Sequence, residues 1–113
     1  MLLDFADKLN ILLDKINATG IRFCGVFNRI DLLLIDRKYQ RWTPHIMFND
    51  EYDIFKRRSQ LAVLDFISKY KEFRKSKYFD YKLINQEAIN FLEIFATVGS
   101  LEELEVKIDL LGY

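Results

Sequence analysis

The 113-residue chain contains one cysteine, one histidine, one proline and four glycines. One cysteine cannot form an internal disulfide, so no covalent framework supports the fold. One histidine beside one cysteine leaves too few ligands for a zinc site. The glycines, Gly20, Gly25, Gly99 and Gly112, are dispersed, which excludes a phosphate-cradling loop. No apolar run approaches the roughly 18–20 residues needed to cross a bilayer, so no membrane partner is expected. The N-terminus begins apolar but carries Asp4, Asp7 and Lys8, which does not read as a signal peptide. A reducing cytoplasm is the expected setting. Net charge is absent too, since 17 basic and 17 acidic residues cancel.

Apolar residues are plentiful. The chain is 50% hydrophobic and 15% aromatic, which excludes intrinsic disorder. Its length suits a single compact domain spanning residues 1–113, able to bury roughly two thirds of its unfolded surface. The charges are unevenly spread. Residues 21–48 carry five basic and two acidic groups, and residues 49–82 carry nine and six. Residues 83–113 carry one basic and six acidic. Either the acidic tail folds back on the basic middle, or the two form opposed surface patches.

The strongest helical signal covers residues 49–77, with a central helix over about 50–75. Asn49 suits an N-cap, and Asp50, Glu51 and Asp53 follow it. Lys69, Lys71, Arg74, Lys75 and Lys77 crowd the far end, the polarity that a helix macrodipole favours. Phe55, Ala62, Val63, Phe66, Ile67, Tyr70 and Phe73 fall on one face, and Ile54, Leu61 and Leu64 form a second stripe. The chain is expected to pack around this helix.

Before it, residues 2–17 read as a helix with Gly20 as its stop. Residues 21–27 alternate and are rich in β-formers, and residues 30–35 form a short apolar run. A hairpin through Asn28-Arg29 joins them, and residues 42–48 supply a third strand with Pro44 near its start or on an edge. After the central helix, residues 78–82 connect to a helix that starts near Asn85 and ends at Gly99. Ser100 and Glu103 form a capping box for a last helix ending at Gly112. The reading is α+β: an N-terminal helix, a small antiparallel sheet over about 21–48, the central helix and a C-terminal helical hairpin. An all-α bundle, with residues 29–41 helical, is the alternative.

Chemistry is sparse. His45 reads as a general base, a partner contact or a satisfied structural side chain, and Cys24 as a buried thiol. Asp31, Asp36 and Lys38 resemble, over eight residues only, the carboxylate and D-x-K signature of Mg²⁺-dependent restriction-type nucleases. Only four residues separate the two acids, too few to place them on separate strands. The helix–turn–helix ending carries Glu102, Glu103, Glu105 and Asp109 against Lys107, which would repel phosphate. Arg22, Arg29, Arg37, Lys38 and Arg41, with Tyr39 and Trp42, could contact nucleic acid, joined by Lys56, Arg57 and Arg58. The neutral total argues against it.

The expectation is therefore a small non-enzymatic protein-binding protein: an inhibitor, an immunity protein or an accessory subunit that occludes or bridges a partner. A nucleic-acid-binding accessory role for residues 22–58 is the alternative, and the nuclease the third. No cofactor or metal is expected. Low alanine with abundant Lys, Ile, Phe, Tyr and Asn suggests an AT-rich genome such as that of a phage or mobile element. Partner contacts are placed at Arg37, Lys38, Tyr39, Arg41 and Trp42, because Arg, Tyr and Trp dominate interface anchors. Glu102, Glu103, Glu105 and Asp109 would form an exposed acidic surface that supplies specificity.

Overall fold

The computed structural model describes residues 2–36, 41–73 and 83–113. Helix α1 (Leu2–Lys15) is followed by strands β1 (Ile21–Val26), β2 (Arg29–Asp36) and β3 (Arg41–Phe48). A 3₁₀ turn, Asp53–Phe55, leads to α2 (Arg57–Phe73), α3 (Gln86–Phe95) and α4 (Leu101–Asp109). The fold is α+β, and the strand at Arg29–Asp36 excludes the all-helical alternative.

Helix α1 buries Leu9 and Leu13 completely, and Ile16 just past its end is buried as fully. It does not stop at Gly20. Asn17 takes a left-handed φ of 59°, the Ala18 amide donates to the Leu13 carbonyl at 2.9 Å, and the Asn17 amide donates to Asp14 at 3.1 Å. That is a Schellman ending with asparagine in the left-handed position. Gly20 has a different duty. A Cβ built there would lie 2.6 Å from the Ile84 nitrogen and the Leu83 carbonyl oxygen. Its bare backbone therefore lets the start of the sheet touch the segment before α3. Side chains fasten the same junction. The Asn85 amide nitrogen donates to the Asn17 carbonyl at 2.8 Å, and the Asn85 oxygen accepts from the Thr19 amide at 3.0 Å. The Thr19 hydroxyl donates to the Leu83 carbonyl at 2.8 Å.

The sheet is antiparallel, in the order β1-β2-β3. Ile21, Phe23, Ile30, Leu32, Leu34 and Phe48 are buried against the helices, as the period-2 pattern requires. Opposite them, Cys24, Val26, Leu33 and Ile35 are half-buried, and Trp42, Pro44 and Met47 are exposed. The expected turn at Asn28-Arg29 is corrected by one residue: Val26 pairs with Arg29, so Phe27 and Asn28 form the two-residue turn. Phe27 has a φ of 53°.

Both sheet edges are blunted among the described residues. Along β1, the Asn10 side chain of α1 donates to the Phe23 carbonyl and accepts from the Phe23 amide, each at 2.8 Å. One asparagine thus stands in for a neighbouring strand. Along β3, Pro44 offers no N–H, and a register shift between Leu32 and Leu33 leaves His45 as an extra residue. Proline and bulges are standard ways to stop strand addition at an edge.

Helix α2 is shorter than the sequence suggests. Residues 49–52 are bend and turn, and the helix begins at Arg57 rather than near residue 50. Asp53 explains why. Its buried carboxylate accepts from the Asn49 amide at 3.1 Å, from Arg58 at 2.7 Å and from the Ser59 hydroxyl at 3.4 Å. The acid that looked like a first-turn residue instead ties the turn to the helix that follows. Among the described side chains of α2, Val63 and Phe66 are buried but Leu61 and Ala62 are exposed, so this stretch of the helix is not the centre of the molecule.

That place belongs to α3. Asn85 caps it, accepting from the Ala88 amide at 2.9 Å, and Ala88, Ile89, Phe91, Leu92 and Phe95 are all buried. The Phe95 ring lies 5.8–6.2 Å from those of Phe23, Phe48, Phe55 and Phe91. Gln60 of α2 donates to the Val98 carbonyl at 2.6 Å, closing the end of α3. The Ser100 hydroxyl accepts from Glu103 at 3.2 Å as expected, but the Glu103 carboxylate accepts from the Gly99 amide. Helices α3 and α4 end at Phe95 and Asp109, short of Gly99 and Gly112.

Candidate partner-binding surface

Of the five expected partner contacts, Arg37, Lys38 and Tyr39 lie outside the described residues. Arg41 and Trp42 open β3 and are both exposed, Trp42 at 40%. Trp42 pairs with Ile35 across the sheet. With Ala18, Gly20, Ile21, Arg22 and Leu83, these two line a mostly apolar cleft of about 460 Å³. The tryptophan therefore forms one wall of a concavity. From it, the outer sheet face continues through Leu33 and Pro44 to Met47, which is 64% exposed.

The face also holds an ion pair. Asp31 is only 2% exposed, and Arg29 grips it with Nε at 3.0 Å and Nη2 at 3.3 Å. A forked guanidinium on a carboxylate satisfies both oxygens of a buried acid. Asp31 is thus not a solvated flanking charge, and Arg29 already occupies both of its oxygens. Asp36 stands five positions along the same strand, roughly 16 Å away, so the strand does not bring the two acids onto one Mg²⁺. Lys38 and the Asp36 side chain lie outside the described residues. Among those described, no group of three His, Cys, Asp or Glu side chains could hold a metal ion.

Cys24 and His45 sit on the two outer strands, two strand spacings or about 10 Å apart. They are too far apart to form a nucleophile–base pair. The His45 ring stands 4.8 Å from that of Phe66, and burial lowers its pKa. The imidazole thus makes an aromatic contact with Phe66.

The basic residues are largely occupied. Arg22 pairs with Asp14 at 2.7 Å, Arg29 with Asp31, and Lys56 and Arg58 with Asp53. Burial opposes charge on Asp53, but the Arg58 hydrogen bond, the Asn49 amide and the nearby cations outweigh it and lower the pKa.

The acidic set is placed as expected. Glu102, Glu103, Glu105 and Asp109 are exposed on α4 while Leu104 and Ile108 face the core. Asp109 pairs with Lys15 of α1, and Glu103 with Lys107 of α4 itself. Neither pair reaches the basic middle of the chain, so these contacts do not fold the acidic tail onto it. Val106, Leu110 and Tyr113 are exposed beside these acids.

Sequence reasoning missed Phe27. Its side chain is 99% exposed at the tip of the β1–β2 hairpin. A positive φ at the first central residue of a two-residue turn is normally taken by glycine. For a bulky side chain this conformation costs about 1–2 kcal/mol. A two-residue gap between apolar runs was the available signal, but Phe27 extends the alternation of β1 and reads as a strand residue.

No helix among the described residues is long and apolar enough to cross a membrane. Comparison with protein-family models, with curated proteins and with solved structures finds no match for this chain.

Proposed function

We propose that this chain is a small protein-binding protein whose partner docks face-on against the outer side of the sheet. The observation that carries this reading is the contrast between face and edges. Asn10 and Pro44 blunt the two edges, while an apolar path from Trp42 to Met47 is open to solvent. A partner that added a strand would need the groups these residues remove. One that covers the face finds a tryptophan-walled cleft, with Arg41 beside it and Arg37, Lys38 and Tyr39 following β2 in the sequence. The exposed acids of α4 then steer or select the partner. The protein would act by occlusion or bridging, as inhibitors, immunity proteins and accessory subunits do, and it would use no cofactor.

The nucleic-acid alternative is weaker, because Arg22, Lys56 and Arg58 already pair with acids and such pairs compete with phosphate. The test is co-purification from lysate with wild-type protein and with the Arg41→Ala/Trp42→Ala double variant as bait. A protein captured by the first and lost from the second, at unchanged melting temperature, supports the proposal. Equal capture by both, or steeply salt-dependent retention of an oligonucleotide instead, overturns it.

A further inference from the structure

Two features remain unused by the proposed docking face. One is Phe27, an exposed aromatic ring on a left-handed backbone. The other is a cleft of about 310 Å³ where α1, the 3₁₀ turn and the start of α4 meet. Its walls include Phe5, Phe55 and Leu101, and the exposed Tyr52 also lines it. Such a cleft is at the small end of ligand-sized cavities and suits one large side chain better than a cofactor. Charge separates it from the larger cleft beside Trp42. The smaller one is bordered by Glu51 and Glu102, with Lys8 the single cation, whereas the larger one carries Arg22. Arg29, two residues after Phe27, uses Nε and Nη2 on Asp31, and its Nη1 donors remain for a second carboxylate. An aromatic ring followed by a guanidinium thus matches an aromatic cleft bordered by carboxylates, and mismatches a cleft bordered by arginine.

We infer that the Phe27-Asn28-Arg29 tip of one copy inserts into the Phe5–Phe55–Leu101 cleft of a second copy, giving head-to-tail self-association. The two surfaces are different patches, so each copy keeps a free tip and a free cleft, and the assembly extends or closes into a ring. A contact of one ring and one ion pair buries little area, so association belongs in the micromolar-to-millimolar range. The inference does not depend on the partner-docking proposal.

Sedimentation velocity over that range tests it. Wild-type protein should gain mass as concentration rises. Phe27→Gly should stay monomeric while its melting temperature is unchanged or raised, because glycine relieves the strained turn. Glu51→Lys/Glu102→Lys should also stay monomeric, since it reverses the charge bordering the cleft, and neither side chain is buried. Mixing the two variants should give a 1:1 heterodimer and nothing larger, because together they retain one intact tip and one intact cleft. Three results would overturn the inference: a wild-type monomer at millimolar concentration, a Phe27→Gly variant that associates as wild type does, or a mixture that forms no heterodimer. The Arg41→Ala/Trp42→Ala variant should self-associate normally, which keeps the two proposals separable.

Discussion

Helix α2 has seventeen residues and α3 has ten, yet the shorter helix holds the core. Helix α2 packs Val63 and Phe66 inward and leaves Leu61 and Ala62 in solvent. Helix α3 buries five side chains, and Phe95 alone meets four other rings. Length and charge polarity make α2 conspicuous in the sequence, but they report how well a segment forms a helix. Where a helix sits depends on how many neighbours its buried side chains reach.

The contrast can be broken first at the rings. Phe95→Ala should cost about 3–5 kcal/mol, from lost burial and the cavity left behind. Phe66→Ala should fall at the low end of that range, because α2 leaves Leu61 and Ala62 in solvent whereas Phe95 sits among four other rings. Urea denaturation of both variants measures the difference. A larger loss from Phe66→Ala would return α2 to the centre.

A smaller effect sits at the start of α2. Asp53→Asn leaves the Asn49 amide and Arg58 without a charged acceptor, and should cost about 1–3 kcal/mol at neutral pH. The folded state lowers the Asp53 pKa. Between the folded and unfolded values the unfolded chain binds more protons, so this stability is fully present above the unfolded value. It is lost as pH falls through the folded one. Stability measured down into the acid range should therefore fall less steeply in Asp53→Asn than in wild type. Parallel curves would show that the Asp53 hub does not hold the turn.

The smallest effect is the sharpest check on helix phase. Leu61→Ala removes an apolar side chain that the sequence assigns to a packed stripe, yet Leu61 is exposed. Its cost should stay within about 0.5 kcal/mol by the same denaturation measurement. A loss near that of Phe66→Ala would mean that something covers this side of α2.

The α+β class was legible because periodicity changes from 3.6 to 2 at Ile21 and back after Phe48, and the spacing of apolar side chains carries that signal. The Asn85 and Ser100 caps were legible for a similar local reason. Ends set by distant contacts were not. Asn17 stops α1 where Gly20 was expected, because Gly20 is needed against Leu83 and Ile84. Asn49 and its acids resemble a helix start, but Asp53 spends its carboxylate on Asn49, Arg58 and Ser59. At the candidate surface, composition led to Arg41 and Trp42, which are exposed. It could not show that Trp42 lines a cleft, because Ala18, Gly20 and Leu83 come from distant parts of the chain. Phe27 escaped notice because turn register depends on pairing rather than on the turn residues alone.

The Asn85 junction bears on how the molecule folds. Its bonds to Thr19 and Asn17 span 66 and 68 positions of chain. Closing a loop of that length costs on the order of 4 kcal/mol beyond a length-independent constant. Those bonds return nothing until the hairpin and the aromatic cluster have drawn the two segments together. Asn85 can cap α3 early, through its local bond to Ala88, and take up Asn17 and Thr19 afterwards. One side chain would thereby serve first as a local nucleation signal and later as the latch between the two halves of the chain.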